Sequence, residues 1–348
     1  MKQIGVYRVM MKKVVWLVIL VLIACSDNKD LRLQKFLLKG NLSLKERNTD
    51  QAVIYLNEAL KLDPCYPDAL NNLGTISFQR KLWDEALTYY TRAIGCHPAF
   101  LPAYFNRANT YYELKEYYSA QKDVQKIILE KPDTAVVYFI QGLIATRMRD
   151  YASAVQAFDR AILLDSGNVE YWVNRGTIQY YRRQFVAAEK DLAMAIRINP
   201  EELNIYNTLA MIDIARGNHD KALMQIQEAM RLSPNQPYFL NNRGFVYLMQ
   251  GRLPEGLRDI DQSVLLDPNN GWAYRNKGVY YLLSGENENA LRMLKQGLAM
   301  DSFIDKIHFY LGMAYWKKGQ KKEACEQFNL SDVAGDEMVT VDQMKSCR

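Results

Sequence analysis

Small side chains recur along this chain at a fixed spacing of 34 residues. In nine consecutive blocks that cover residues 33–338, Gly or Ala occupies the eighth position of every block. The twentieth position is Ala in eight blocks and Gly256 in the other. Large apolar residues such as Trp172, Phe158 and Tyr247 fill positions 4, 24 and 11. This pattern predicts two helices in each block, which approach closely where the small side chains lie.

Proline marks the end of most blocks. Position 32 is Pro in six blocks, whereas Ser166 and Ser302 occupy it in two others. Because proline lacks a backbone donor and clashes with the preceding helical turn, it ends the second helix of each block. The predicted repeat boundaries are 33–66, 67–100, 101–134, 135–168, 169–202, 203–236, 237–270, 271–304 and 305–338.

These spacings resemble the tetratricopeptide repeat (TPR), a helix-turn-helix unit of 34 residues. The resemblance implies an all-α fold: an α-solenoid, wound as a right-handed superhelix of nine units, whose concave groove is lined by the first helix of each unit. The first block matches least well, with Lys39 and Ser43 at positions 7 and 11. The ninth has His308 at position 4 and Asp336 at position 32. Atypical terminal repeats are expected, because they cap the array.

Residues 336–348 are predicted to form a short capping helix after the ninth repeat. Two acidic residues at 336–337 suit the first turn of a helix, where negative charge is favoured by the helix dipole. Met338, Val341 and Met344 recur at three-residue spacing and form an apolar stripe that would cover the last repeat. The alternative is a frayed terminus.

The start of the chain has the features of a signal peptide. Val14 to Ala24 is a run of eleven uncharged residues that follows Lys12 and Lys13. A helix of that length spans about 16 Å, roughly half of the hydrocarbon core of a bilayer. Residues 1–24 are therefore predicted to be a cleaved leader rather than a membrane span.

The leader ends in Leu-Ile-Ala directly before Cys25, a sequence that resembles the lipobox of bacterial lipoproteins. The resemblance implies that Cys25 receives a diacylglyceryl thioether and, after cleavage, an acylated amino terminus with chains such as palmitate. Residues 25–32 would then form a lipidated tether. Ser26 favours the outer membrane, facing the periplasm, and leaves the cell surface open as a location. An ordinary secretory leader is the alternative.

The net charge of the chain is concentrated in the leader. The whole sequence carries 44 basic and 39 acidic side chains, but residues beyond 24 carry 40 and 39. A nearly neutral body offers no electrostatic footprint for nucleic acid, so we expect no nucleic-acid partner. The three histidines are far apart, and no phosphate-binding, hydrolase or calcium-binding motif is present. We expect no catalytic residue, metal or cofactor.

Four cysteines remain if Cys25 is lipidated, which permits two disulfides in an oxidising compartment. Cys325, on the last repeat, and Cys347, at the end of the capping helix, are predicted to staple the cap to the array. Cys65 and Cys96 lie near neighbouring turns and are a second candidate pair. Buried reduced thiols are the alternative for both pairs.

In the family that the repeats resemble, groove side chains come mainly from block positions 2, 5, 6, 9, 12 and 13. Position 6 is asparagine in five of the nine blocks, namely Asn72, Asn106, Asn174, Asn242 and Asn276. Stacked along the groove, these amides would form a ladder that binds the backbone of an extended peptide. The alternative is that each amide pairs with a neighbouring repeat or with water.

Aromatic and charged residues complete the predicted groove. Position 12 contributes Tyr112 and Tyr180, which either hold ligand side chains or pack within the helix pair. Chaperone-binding members of the family hold a C-terminal carboxylate with lysines at positions 2 and 5. This chain has no lysine at position 5, and only Arg275, beside Asn242, resembles a fragment of such a clamp.

The sequence therefore predicts a non-enzymatic, lipid-anchored scaffold or adaptor. One or more envelope proteins, or extended peptides, would bind in its concave groove during envelope biogenesis or secretion, and assembly into a homo-oligomer is permitted. The alternative is a lipoprotein that binds glycan or peptidoglycan through the aromatic groove.

Overall fold

The computed structural model describes residues 29–336 and 338–347 of the chain. These residues form α-helices and connecting turns, without a β-strand. The predicted leader and the predicted lipidation site at Cys25 lie outside the described residues. Residues 29–32, which belong to the predicted tether, are helical, because the first helix begins one turn before the first block.

Each 34-residue block contains one helix pair joined by a short turn, and a last short helix follows. The helices are α1 (29–45), α2 (Thr49–Leu62), α3 (Pro67–Gln79), α4 (Trp83–Cys96), α5 (Leu101–Glu113), α6 (Tyr117–Glu130), α7 (Ala135–Arg147), α8 (Tyr151–Leu164), α9 (Val169–Tyr181), α10 (Phe185–Ile198), α11 (Leu203–Ala215), α12 (His219–Leu232), α13 (Pro237–Met249), α14 (Leu253–Leu266), α15 (Gly271–Leu283), α16 (Asn287–Met300), α17 (Ile307–Lys317), α18 (Lys321–Val333) and α19 (Val341–Ser346).

The helices belong to two compact units, Met1–Ser166 and Gly167–Arg348. The N-terminal unit holds α1 to α8, and the C-terminal unit holds α9 to α19. In each unit, consecutive helix pairs stack on one another and bury a row of small and branched side chains between them. This is the α-solenoid architecture that the repeat spacing predicts.

Close packing within a pair explains the small residue at position 8. A Cβ added to Gly142 would lie 2.5 Å from Cε1 of Phe158, the residue at position 24 of the same block. Gly74 meets the ring of Tyr90 in the same way, also at 2.5 Å. Both rings are almost fully buried. An aromatic ring at position 24 of these blocks therefore fits because position 8 lacks a side chain.

The turn inside each pair has a left-handed residue at block position 15. In the first five blocks this residue is Lys or Arg, and in the next four it is Gly, with φ values between 56° and 81°. At one of these turns the amide of Arg252 donates to the carbonyl of Tyr247 at 2.9 Å, and the amide of Gly251 donates to Leu248. These bonds satisfy carbonyls that the end of a helix would otherwise leave without partners.

Three blocks carry a buried ion pair between their two helices, which the sequence analysis missed. Arginine at position 7 makes two hydrogen bonds to aspartate at position 23 in each block. The pairs are Arg107–Asp123, Arg175–Asp191 and Arg243–Asp259, with N–O distances of 2.6 to 2.9 Å. All three aspartates are buried. The blocks are the third, fifth and seventh, so the pair alternates with blocks that lack it.

The C-terminal cap is shorter than predicted, and its predicted start was wrong. Helix α19 covers only Val341–Ser346 and begins with a capping box between Thr340 and Gln343. Asp336 does not open a helix, because its buried carboxylate accepts hydrogen bonds from Ser331 Oγ at 2.7 Å and from the amide of Lys306 at 3.2 Å. Part of the predicted apolar stripe is exposed, since Met338 and Val341 lie on the surface.

Among the residues that the structure describes, no helix is both long and apolar enough to cross a membrane.

Candidate functional site

The first helices of the C-terminal unit surround a cavity of about 230 Å³. Its walls come mainly from α9, α11, α13 and α15, together with the segment that precedes α17. Most of the lining residues occupy block positions 2, 5, 6, 9, 12 and 13, the positions that the family resemblance assigned to the groove. The exceptions are Arg183, Phe185 of α10, Asn270 and Asp305. Polar and aromatic lining residues include Tyr180, Asn207, Tyr238, Asn241, Asn242 and Trp272.

Four of the five predicted groove asparagines pair with an asparagine of the preceding repeat. Asn106 donates to Asn71 at 2.9 Å, and Asn72 donates to Asn41 at 2.7 Å. In the C-terminal unit, Nδ2 of Asn242 donates to Oδ1 of Asn207 at 2.9 Å. The acceptor stands at position 5 of the preceding block wherever that position is asparagine, 35 residues earlier in the chain.

Of the last two predicted asparagines, Asn174 makes no such pair, whereas Asn276 makes the pair but is buried. The block before Asn174 has Phe139 at position 5, which offers no acceptor, and Asn174 donates to the carbonyl of Glu170 at 2.8 Å. Asn276 donates to Asn241 at 2.8 Å but is only 1% exposed. Burial removes Asn276 from the groove surface, so its predicted role in peptide binding is corrected to a structural one.

The asparagine pairs therefore join neighbouring repeats, as the structural alternative proposed. Each pair uses one donor and one acceptor, whereas an amide has two donors and two acceptor sites. Asn207 and Asn242 are partly exposed and line the cavity, and they retain unused hydrogen-bonding capacity toward it. Of the five predicted asparagines, Asn242 is the one that lines the cavity.

The two predicted groove tyrosines lie in different units. Tyr112, in the N-terminal unit, accepts a hydrogen bond from Nε of Arg147 at 2.8 Å, which raises the pKa of that guanidinium. Tyr180 lines the cavity of the C-terminal unit and also contacts Phe185 of the next helix, with ring centroids 5.9 Å apart. Burial raises the pKa of the Tyr180 hydroxyl, so it stays a neutral hydrogen-bonding group.

Arg275 is the buried cation of the cavity wall and is 6% exposed. Its guanidinium lies over three aromatic rings, 4.8 Å from the centroid of Phe245, 5.1 Å from Trp272 and 5.7 Å from Tyr310. Its Nε is buried without a hydrogen-bond partner in the described part of the chain. Burial raises the pKa of Tyr310, while the charge of Arg275 acts in the opposite direction.

Asp305 and Lys306 close one side of the cavity and were missed by the sequence analysis. The first helices of the preceding seven blocks begin at or before position 1, but α17 begins only at position 3. The two residues before it therefore form an irregular segment, and Lys306 adopts a left-handed conformation with φ 60°. The departure of the ninth block from the repeat pattern was the sequence signal that could have pointed to these two residues.

Both predicted cysteine pairs have a geometry that permits a disulfide. The Cα atoms of Cys65 and Cys96 are 5.6 Å apart, and those of Cys325 and Cys347 are 5.4 Å apart. These separations fall within the usual range for disulfides. The formation of both bridges in the cell stays a prediction.

Within the described residues, no group of three or more histidine, cysteine, aspartate or glutamate side chains is arranged to hold a metal ion. The candidate site is therefore the cavity, which combines amides, aromatic rings and charged groups.

Solved structures similar to this chain are built from the same kind of helical array. A chain of the APC/C hetero-tetramer Cut9–Hcn1 has a TM-score of 0.60 and 18% identity, over 90% of this chain and 62% of that chain. This chain thus spans less than two thirds of that relative. PilF from Pseudomonas aeruginosa has a TM-score of 0.55 and 20% identity, over 61% of this chain and 96% of that chain. At these identities the likeness establishes the fold.

No curated protein matches the sequence. Two family models, both described as tetratricopeptide repeat, match different parts of the chain. One matches residues 37–99 and 141–202, and the other matches 101–134 and 306–331. Together the matched residues make up just over half of the chain, and they coincide with helix pairs in both units. The chain belongs to the tetratricopeptide repeat family.

Proposed function

We propose that this protein is a lipid-anchored scaffold or adaptor of the cell envelope, and that it binds extended segments of partner proteins in its C-terminal unit. The repeat family is a family of interaction scaffolds and is generally non-enzymatic. The observation that carries the proposal is the cavity, where side chains of four successive first helices converge with hydrogen-bonding groups and aromatic rings.

The chemistry of the cavity suits an extended peptide. The partly exposed amides of Asn207 and Asn242 offer donors and acceptors that match the backbone of a bound chain, whatever its sequence. Tyr238 and Trp272 lie beside them and provide apolar surfaces for its side chains. Because the helices are held by buried packing, the groups are arranged before the ligand arrives, which lowers the entropic cost of binding.

The membrane anchor in this proposal rests on the sequence around Cys25. The lipobox-like residues and the short uncharged run before them support acylation, and Ser26 supports the outer membrane, facing the periplasm. An anchored scaffold would present its groove to other envelope proteins, so these are the proposed partners.

Site-specific photo-cross-linking in living cells tests the binding site with a matched pair of methionines. Met211 lines the cavity on α11, whereas Met224 is 69% exposed on α12 of the same repeat. A photoreactive amino acid at 211 is expected to give discrete protein adducts that the same residue at 224 does not give. Mass spectrometry of the adducts identifies the partner.

Two outcomes would contradict the proposed groove. The same adducts from positions 211 and 224 would place the partner elsewhere on the surface. Adducts from 224 alone would have the same meaning. An adduct at 211 that contains glycan rather than protein would favour the glycan alternative, for which the exposed faces of Tyr238 and Trp272 are the supporting observation.

A further inference from the structure

Arg275 lacks the carboxylate partner that the other solvent-shielded arginines of the C-terminal unit have. Arg175 and Arg243 each make two hydrogen bonds to a buried aspartate of the same block. Arg275 is buried more deeply, yet no ion pair joins it to a carboxylate within the described residues. Aromatic rings surround it instead, and its Nε has no partner in the described part of the chain.

A buried cation without a counter-charge has lost much of its hydration. Aromatic faces compensate through cation–π attraction, but Nε of Arg275 is left without an acceptor in the described part of the chain. A carboxylate delivered by a ligand would supply both the missing charge and this missing acceptor. Arginine suits this role, because its planar donors match the two oxygens of a carboxylate.

The remaining charges of the cavity wall favour the same kind of ligand. The lining contains three cationic side chains, Arg183, Arg275 and Lys306, and a single acidic one, Asp305. The surplus of positive charge attracts an anionic group, and the low polarity of the aromatic walls strengthens that attraction. Asp305 opposes it and therefore limits the affinity.

We propose that the cavity binds a carboxylate of the partner peptide, held by Arg275, with a neighbouring apolar side chain against Trp272 and Phe245. The inference rests on the proposed peptide-binding function and specifies the chemistry of its ligand. The cavity of about 230 Å³ is smaller than the pockets of about 300–1,000 Å³ that enclose small-molecule ligands, and it suits one or two side chains. The site has one buried arginine in an aromatic wall, and so differs from the lysine clamp that the chain lacks.

Pools of immobilised octapeptides provide the probe, with the full chain in detergent as the analyte. The first pool has Leu beside Glu at fixed central positions, random residues elsewhere and an amidated end. The second replaces the fixed Glu with Gln. The third has the Gln sequence with a free C-terminal carboxylate. Comparison of these pools separates an acidic side chain from a chain terminus as the source of the carboxylate.

We expect the native chain to bind the Glu pool, the free-carboxylate pool or both about tenfold more tightly than the amidated Gln pool, as for a charge-assisted pair. Arg275→Met should abolish this preference, so that the Glu and free-carboxylate pools bind no more tightly than the amidated Gln pool. Lys277→Met is the matched control, because Lys277 lies on the same helix but pairs with Asp261 at 2.8 Å outside the cavity lining. It should keep the preference.

Asp305→Asn gives a test that does not require removal of a buried residue. It should increase the preference for the carboxylate-containing pools over the Gln pool by a few fold, because it removes a negative charge from the cavity wall. Equal binding of all three pools by the native chain would overturn the carboxylate inference but not the peptide-binding function. A preference for the carboxylate pools that survives Arg275→Met would have the same consequence. Binding to no pool would overturn both proposals.

Discussion

At the scale of single residues, buried charge is compensated in two different ways. Asp123 is 3% exposed and accepts two hydrogen bonds from Arg107, so the negative charge is paired inside the protein. Arg275 has no such carboxylate and lies among aromatic rings. Paired residues of the first kind hold two helices in register, whereas a buried cation left open toward a cavity is available to a ligand.

Replacement of Asp123 by Ala is expected to lower the free energy of unfolding by about 3 kcal/mol, because the Arg107 side chain, which is only 16% exposed, would lose its charge partner. Urea unfolding followed by circular dichroism measures the loss. Asp50→Ala is the control in the same unit. Its pair with Arg80 is on the surface, with the Asp50 side chain 92% exposed, so the loss should be below about 1 kcal/mol.

The double variant Arg107→Leu/Asp123→Tyr copies the second block, which has Leu73 and Tyr89 at the same positions. It should recover most of the lost stability, because removing both charges leaves neither unpaired. A loss from Asp123→Ala no larger than that from Asp50→Ala would show that the buried pair contributes little.

At the scale of helices and turns, the repeat depends on a residue that the spacing of small and large side chains does not reveal. All nine turns between the helices of a pair have a left-handed residue at position 15. Glycine adopts this conformation without strain, whereas other residues do so at a cost of about 1–2 kcal/mol. The chain uses Lys or Arg there in the first five blocks, so the helix ends and the packing that follows override the local preference of the residue.

Gly251→Ala is expected to destabilise the C-terminal unit by about 1 kcal/mol, because the backbone there has φ +75°. No heavy atom lies within 4 Å of the added Cβ, so the effect comes from the backbone alone. Gly95→Ala is the control. Gly95 lies within helix α4, and no heavy atom lies within 4 Å of a Cβ added there. Ala at this position should stabilise the helix by up to about 1 kcal/mol. Melting temperatures of the two variants should thus shift in opposite directions. A shift of the same sign would contradict this account.

At the scale of the whole molecule, the cavity depends on repeats that are distant in sequence. Tyr180 belongs to the first repeat of the C-terminal unit and Asp305 to its last, and both line the same cavity. Arg183 also reaches Gly335, donating to its carbonyl at 3.4 Å across 152 residues of sequence. The winding of five repeats brings these residues together, and the membrane anchor proposed at Cys25 would tie the whole assembly to a lipid surface.

Cys25→Ala is expected to abolish incorporation of labelled palmitate in growing cells, because the thioether and the acylated amino terminus both require that cysteine. Ser26→Ala, which keeps the cysteine, should incorporate label as the native chain does. Fluorography of the immunoprecipitated protein provides the measurement. Label of equal intensity in Cys25→Ala and the native chain would rule out lipidation at this position.

The sequence alone was sufficient to predict that each block contains a pair of helices, and to predict the family. This succeeded because the evidence is local: Gly or Ala must stand where two helices touch, and proline must stand where a helix ends. It failed where a terminal repeat loses the pattern. The late start of α17 and the short α19 depend on Asp336, whose carboxylate satisfies the backbone of Lys306.

Only the tertiary structure decided which predicted groove residues line the cavity. Asn242 and Asn276 stand at the same position of adjacent blocks, yet Asn242 lines the cavity and Asn276 is buried. The sequence cannot separate them, because exposure depends on how far each repeat is rotated against the next and on which side chains fill the space between them. The same holds for Arg275. Its identity was plain from the sequence, but its burial among three rings without a carboxylate partner follows from the packing of three helices, α13, α15 and α17.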